Sequence, residues 1–356
     1  MNAPDSDTIP GVGMHQDIGE QPEVYAGLLS NQAAQIAAVA ARISELKPRS
    51  IVFTARGTSD HAALYGTYLS EIRLGIPASL ASPSVMSVYG GTPNYAGSLV
   101  VGVSQSGGSP DLTAVLRAAS KSGATTLAIT NNPDSPLAET ADLHIDVAAG
   151  HERAVAATKT YTAELLALLM LIEGIRTGTG TLAAPEQELL AQLPDLASQA
   201  LENSVAKELA ERYRFAQKLI TTGRGYAYPT ARETALKLME TSYVPALAFS
   251  GADLLHGPLA MADSAVPVLA IVGSGPGGHA MREVLTRLDE RRADIVTIGP
   301  HDLPGQSARM SSPDVDERVA AMLDILPLQE LAMHIAIARG ENPDAPRGLK
   351  KITETY

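Results

Sequence analysis

Ser104, Gln105, Ser106 and Ser109 stand close together in the run SQSGGS, with Gly107 and Gly108 between them. The run follows an apolar stretch, SLVVGV, and precedes an amphipathic pattern, PDLTAVLRAA. Three hydroxyls and a side-chain amide can donate hydrogen bonds, and the glycines let the backbone come close to a ligand. A helix start adds unpaired N–H groups and a partial positive charge, so such a loop can hold a phosphate without a Lys or Arg of its own. The turn TARGTSD, residues 54–60, places a second Gly, Thr and Ser cluster after another apolar run. Two such loops side by side would form a cradle. The same residues also suit a plain strand-to-helix turn with a serine cap.

A second set could move protons. In ARETALKLMETSY, Glu233, Lys237 and Glu240 recur at helical spacing and share one stripe. A solvated, salt-bridged helix face has the same pattern. His256, in GADLLHGPLAM, suits general acid–base work or a turn cap. Lys350 and Lys351 form a basic pair near the end. Gly273, Gly275 and Gly278 in GSGPGG fit a dinucleotide-binding spacing, but the following strand, ADIVTIGP, lacks a clear acidic residue at its end. With no Walker sequence, no HExxH and no close histidine pair, neither a metal nor another cofactor is expected.

Composition narrows the classes. The chain has 356 residues, enough for two or three domains, and is 45% apolar with three Phe and no Trp, so its core is mainly Ala, Leu, Val and Ile. A formal charge of −12 argues against a nucleic-acid surface, which needs clustered cations. The absence of cysteine removes disulfides, thiolate zinc sites and a cysteine nucleophile. The acidic start, MNAPDSDTIPGVG, is unlike a signal peptide. The apolar segment AELLALLMLIEGI, residues 163–175, is short and carries Glu near both ends, so it reads as a buried helix and no membrane association is expected. A soluble cytoplasmic protein is the expectation.

The elements that must position these residues repeat. SLVVGVSQSGGSPDLTAVLRAA parallels AVPVLAIVGSGPGGHAMREVLTRL, and TTLAITNNP parallels ADIVTIGP, giving two copies of one strand–turn–helix unit. Strands alternating with helices predict parallel sheets covered on both faces, with ligands at the carboxyl ends of the strands. The predicted fold class is α/β: two tandem domains, each a doubly wound, flavodoxin-like parallel sheet flanked by helices. Residues 1–13 are expected to be a disordered tail, 14–185 the first domain with lead-in helices, 186–345 the second, and 346–356 a tail closing the active site.

Taken in order, MHQDIGEQP, ARGTSDHA, SQSGGSPD, ERAVAATKTYTAEL, RETALKLMETSY, GADLLHGPLAM and PLQELAMHIAIARGENPDAPRGLKKIT resemble the sugar isomerase (SIS) family. They are similar above all to the isomerase half of glucosamine-6-phosphate synthase. The resemblance covers essentially the whole chain after the first residues. It implies that Thr58, Ser59, Ser104, Gln105, Ser106 and Ser109 hold the phosphate of a hexosamine phosphate, with Val155 and Ala156 lining the sugar. It further implies that Glu240 moves a proton between C1 and C2 beside Glu233 and Lys237, and that Lys351 engages the open-chain carbonyl. His256 would assist ring opening from the neighbouring subunit, which implies a homodimer.

Two departures separate the sequence from the synthase pattern. No glutaminase region is matched and no cysteine is present to serve one. Asp253, Leu255 and Ala157 replace the residues of the corresponding GELKHGP and VASTK motifs. A site that joins ammonia to fructose 6-phosphate can run backwards, so the resemblance implies an isomerising glucosamine-6-phosphate deaminase. Related amino-sugar or fructosamine-phosphate deaminases, deglycases and aldose–ketose isomerases remain alternatives, with a non-catalytic sugar-phosphate sensor behind them.

Overall fold

The computed structural model describes residues 9–351. The expected tails therefore fall partly outside it: residues 1–8 and 352–356 lie outside the described residues. The described chain forms two compact units. The first contains Gln21–His151 and Lys159–Leu196; the second contains residues 9–20, Glu152–Thr158 and Ala197–Lys351.

In the first unit, β1 (Ser50–Thr54), β2 (Ala78–Leu80), β3 (Ser98–Ser104), β4 (Thr125–Thr130) and β5 (Leu143–Asp146) form one parallel sheet in the order β2-β1-β3-β4-β5. In the second, β6 (Leu219–Gly223), β7 (Ala246–Ser250), β8 (Pro267–Ile271), β9 (Asp294–Gly299) and β10 (Ala308–Ser311) form another, in the order β10-β9-β8-β6-β7. Read from the other edge, the second order is the first repeated. Strands β1, β3 and β4 begin at residues 50, 98 and 125, and their counterparts at 219, 267 and 294, a constant offset.

The central strands are buried on both faces, which is why they read as continuous apolar runs rather than as an alternation. The helix Pro110–Lys121 starts with proline at its first position and buries Leu112, Val115, Leu116 and Ala119 in a cluster that includes Val100 and Ala128. Its counterpart, Pro276–Glu290, repeats this with Met281, Val284, Leu285 and Leu288 in a cluster with Val268, Ala270 and Ile295. Burying each of these Leu, Val or Met side chains is worth roughly 1.5–3 kcal/mol. The predicted apolar helix is present as Lys159–Thr177, buried from Lys159 to Ile175. A second apolar helix, Glu317–Ala338, is long enough to cross a membrane, but 83% of its most apolar window is buried in the protein.

Among the described residues a helix starts at Val12, within the stretch that the sequence assigns to the tail. This helix and the segment Glu152–Thr158 pack with the second sheet, so neither unit is one continuous stretch of chain.

Candidate active site

In the first unit, β1 and β3 are neighbours with Thr54 opposite Gly102. The loops that follow them therefore leave the same edge side by side, at the point where the strand order reverses. In doubly wound sheets this is where ligands bind. The structure thus brings Thr58 and Ser59 into the same region as Ser104, Gln105, Ser106 and Ser109.

The local geometry is specific. The Gly107 N–H donates to Ser104 Oγ at 3.1 Å and the Gly108 N–H to Ser106 Oγ at 3.3 Å. A hydroxyl that accepts in this way keeps its proton for a ligand. Ser109 precedes its helix in an extended conformation and its side chain makes no cap hydrogen bond, so the plain serine-cap alternative does not describe it. Gly107 has φ +61°, and a Cβ there would lie 2.1 Å from Ser135 Oγ. Ser135 cannot withdraw cheaply, because its hydroxyl accepts the Ala138 N–H as the cap of the next helix.

Two features were not legible in the sequence. Ser59 donates its proton to Glu164 Oε1 at 2.9 Å, so its hydroxyl is already engaged. Arg56 donates from Nε and Nη2 to the buried Asp111 at 2.8 Å and ties the two loops together. The SQSGGS run has no cation of its own, but its neighbouring loop supplies a half-exposed guanidinium.

In the second unit, the helix Ala227–Ser242 carries Glu233, Lys237 and Glu240. Glu233 and Lys237 are fully buried, which overturns the solvated-face alternative. Lys237 Nζ lies 3.3 Å from Glu233 and 2.5 Å from Glu240. Burial works against the ammonium, but the two carboxylates outweigh it and hold the lysine pKa above its ordinary range. Glu240 alone of the three keeps appreciable exposure, 22% of its side chain. The helix is registered on Glu317–Ala338 by Thr230 and Thr241, whose hydroxyls donate to the carbonyls of Ala321 and Ala332.

Val155 and Ala156 lie in a loop held from several sides. Glu152 accepts from the Thr158 N–H and hydroxyl, Gln329 donates to the Thr158 carbonyl at 3.3 Å, and Asp17 accepts from the N–H groups of Arg153 and Ala154. Lys351 joins this loop, its Nζ donating to the Ala154 carbonyl. His256 stands exposed at the end of the short helix Gly251–Leu255, its N–H on the Asp253 carbonyl.

The second unit's own switch point is built differently. The amides of Gly277 and Gly278, at the start of Pro276–Glu290, donate to Glu317 at 3.2 and 2.9 Å. Ser274 donates to Asp314 at 2.5 Å. The groups that a pyrophosphate would need in the GSGPGG turn are occupied by the chain's own carboxylates, which removes the dinucleotide alternative.

The comparisons with known proteins agree with this architecture. A glutamine–fructose-6-phosphate aminotransferase (isomerizing) of Methanothermobacter thermautotrophicus is 36% identical over 348 residues, covering 95% of this chain and 56% of that protein. The chain thus spans a little over half the length of that relative. The solved C-terminal domain of glucosamine-fructose-6-phosphate aminotransferase from Francisella tularensis aligns with 97% of this chain and all of that one, at 27% identity and a TM-score of 0.84. A glucosamine-6-phosphate deaminase structure from Thermotoga maritima, at 21% identity, covers 96% of this chain and all of that one with a TM-score of 0.73, and shares the fold. The SIS domain family matches residues 46–174 and 213–337, one stretch containing each sheet, and the chain belongs to that family as a protein with two SIS repeats.

Proposed function

We propose that this sugar-phosphate isomerase is an isomerising deaminase, converting glucosamine 6-phosphate and water to fructose 6-phosphate and ammonia. The observation that carries the reading is the charge arrangement on one helix. Glu240 is the partly exposed member of a set whose buried Lys237 holds it at 2.5 Å, which positions it as a proton shuttle between adjacent carbons. In this reading the first unit's hydroxyls and amides hold the phosphate, Val155 and Ala156 line the sugar, and His256 assists ring opening across a homodimer interface in the cytoplasm.

The chemistry balances without a redox step. Glu240 takes the proton from C2 and returns it at C1 while the C1 oxygen gains a proton and the nitrogen gives one up, so the open-chain amino aldehyde becomes a ketose-level imine. Water adds to C2 and ammonia leaves, giving the ketone. Lys351 engages the open-chain carbonyl. The deaminating direction is the reverse of joining ammonia to fructose 6-phosphate, and one site that stabilises the shared transition state serves both directions.

Ammonia release from glucosamine 6-phosphate, its N-acetylated form and galactosamine 6-phosphate tests the reading. Release is expected from the first, and Glu240→Gln is expected to lower kcat about 100 to 10,000-fold with little change in phosphate affinity. Isomerisation of a hexose phosphate with no ammonia from any amino sugar would favour a simple aldose–ketose isomerase instead.

A further inference from the structure

Asp344 lies in the run PLQELAMHIAIARGENPDAPRGLKKIT without a role of its own, yet it bonds to two separate parts of the second unit. Its carboxylate accepts the N–H groups of Gly11 at 3.0 Å, Gly13 at 3.1 Å and Met14 at 2.7 Å. These belong to the start of the helix Val12–Gly19, whose own N-cap residue, Gly11, offers no side chain. Asp344 is thus a cap supplied from the far end of the chain, where a negative charge is favoured. Its backbone carbonyl also accepts the N–H of Val155 at 3.2 Å.

The helix and the loop of Val155 meet again through other residues. Asp17, on the capped helix and fully buried, accepts the N–H groups of Arg153 at 2.7 Å and Ala154 at 3.0 Å. Met14 and Ile18 of that helix share an apolar cluster with Ala154 and Met333. Beyond Asp344 the tail is pinned twice more. The Arg347 N–H donates to the Tyr243 hydroxyl at 2.7 Å, at the end of the helix that carries Glu240, and its guanidinium lies 4.0 Å from that ring. Lys351 then donates to the Ala154 carbonyl.

We propose that Asp344 is a positioning residue that locks the Val12–Gly19 helix, the Val155–Ala156 backbone and the Lys351 tail into one element. The inference rests on the functional reading above, in which Val155, Ala156 and Lys351 meet the sugar. Asp344 itself touches no substrate. It acts because a carboxylate can accept three N–H groups at once, while an amide in its place turns one oxygen into a donor facing them. The helix start then loses at least one of its three cap bonds, and the segment that holds the Val155 peptide and leads to Lys351 is less firmly tied to it.

The test compares Asp344→Asn with Gly13→Ala in the full chain. A Cβ at Gly13 would lie 3.1 Å from Asp344 Oδ1 and so displaces the carboxylate without removing it. Asp344→Asn is expected to lower kcat about 10 to 100-fold, the scale of a small misplacement of reacting groups, and Gly13→Ala to shift it less in the same direction. Affinity for inorganic phosphate, whose ligands lie in the other unit, is expected to stay unchanged in both. Hydrogen exchange of the Met14 and 153–155 amides should rise about tenfold or more, reporting local opening whatever the substrate proves to be. Unchanged exchange at 153–155 in Asp344→Asn would overturn the proposal, as would a kcat equal to wild type. If no sugar phosphate is turned over by the wild type, the functional reading falls, while the exchange experiment still decides the lock.

Discussion

The two switch points of this molecule share a topology and differ in what fills them. Each lies between the first and third strands of a parallel sheet, β1 and β3 in one unit and β6 and β8 in the other. In the first, Ser104 and Ser106 accept loop amides and keep their protons, and Arg56 is bridged to Asp111 at the side. In the second, Glu317 sits on the helix-start amides of Gly277 and Gly278, and Asp314 takes the hydroxyl of Ser274. Strand order fixes where an anion can bind. Side chains from the next elements decide whether that anion comes from outside or from the chain itself.

The largest effect that would sharpen this contrast comes from Gly107→Ala. The substitution forces a residue with a side chain to φ +61° and drives its Cβ onto Ser135. A loss of about 2–4 kcal/mol is expected from the two penalties together, measured as a shift in the urea midpoint. A change below the error of that measurement would show that the open crevice does not depend on this turn.

A smaller effect probes the filled crevice. Asp324, on the helix that begins with Glu317, has its pKa pushed up to about 7, first by burial and further by the charge of Glu317, against the hydrogen bond it receives from Ser312. Because its folded pKa lies above the unfolded value, the fold favours the protonated acid. That contribution is complete below about pH 4 and is lost as pH rises through about 7. Asp324→Asn, which can still accept from Ser312, is expected to raise Tm by a few degrees at pH 8 and to flatten the decline between pH 4 and 8. An unaltered pH profile would remove Asp324 from the carboxylate group around the second crevice.

Much of this was visible in the residues themselves. The runs SLVVGV and VPVLAIV read as buried strands because parallel strands covered on both sides need no polar alternation. The glycine and hydroxyl turns marked the strand ends, and the constant spacing marked the repeat. What could not be read are pairs whose partners lie far apart in sequence. Arg56 with Asp111, Ser59 with Glu164, Glu317 with Gly278 and Asp344 with Gly13 carry no local signature, since each partner alone looks like an ordinary surface or turn residue. For the same reason the Glu233, Lys237 and Glu240 stripe could equally have been a solvated face. Only burial separates an ion pair in water from a fixed charge array.

The central claim is that neutral hydroxyls and amides of the first unit hold the phosphate while the second unit's crevice is closed by its own acids. Calorimetric titration of inorganic phosphate into the wild type, Ser104→Ala and Glu317→Gln tests it most directly. One site per chain is expected in the wild type, weakened about tenfold or more by Ser104→Ala, the scale of a lost hydrogen bond to a charged group, and unchanged in affinity by Glu317→Gln. An affinity untouched by Ser104→Ala, or one set instead by Glu317, would contradict the account.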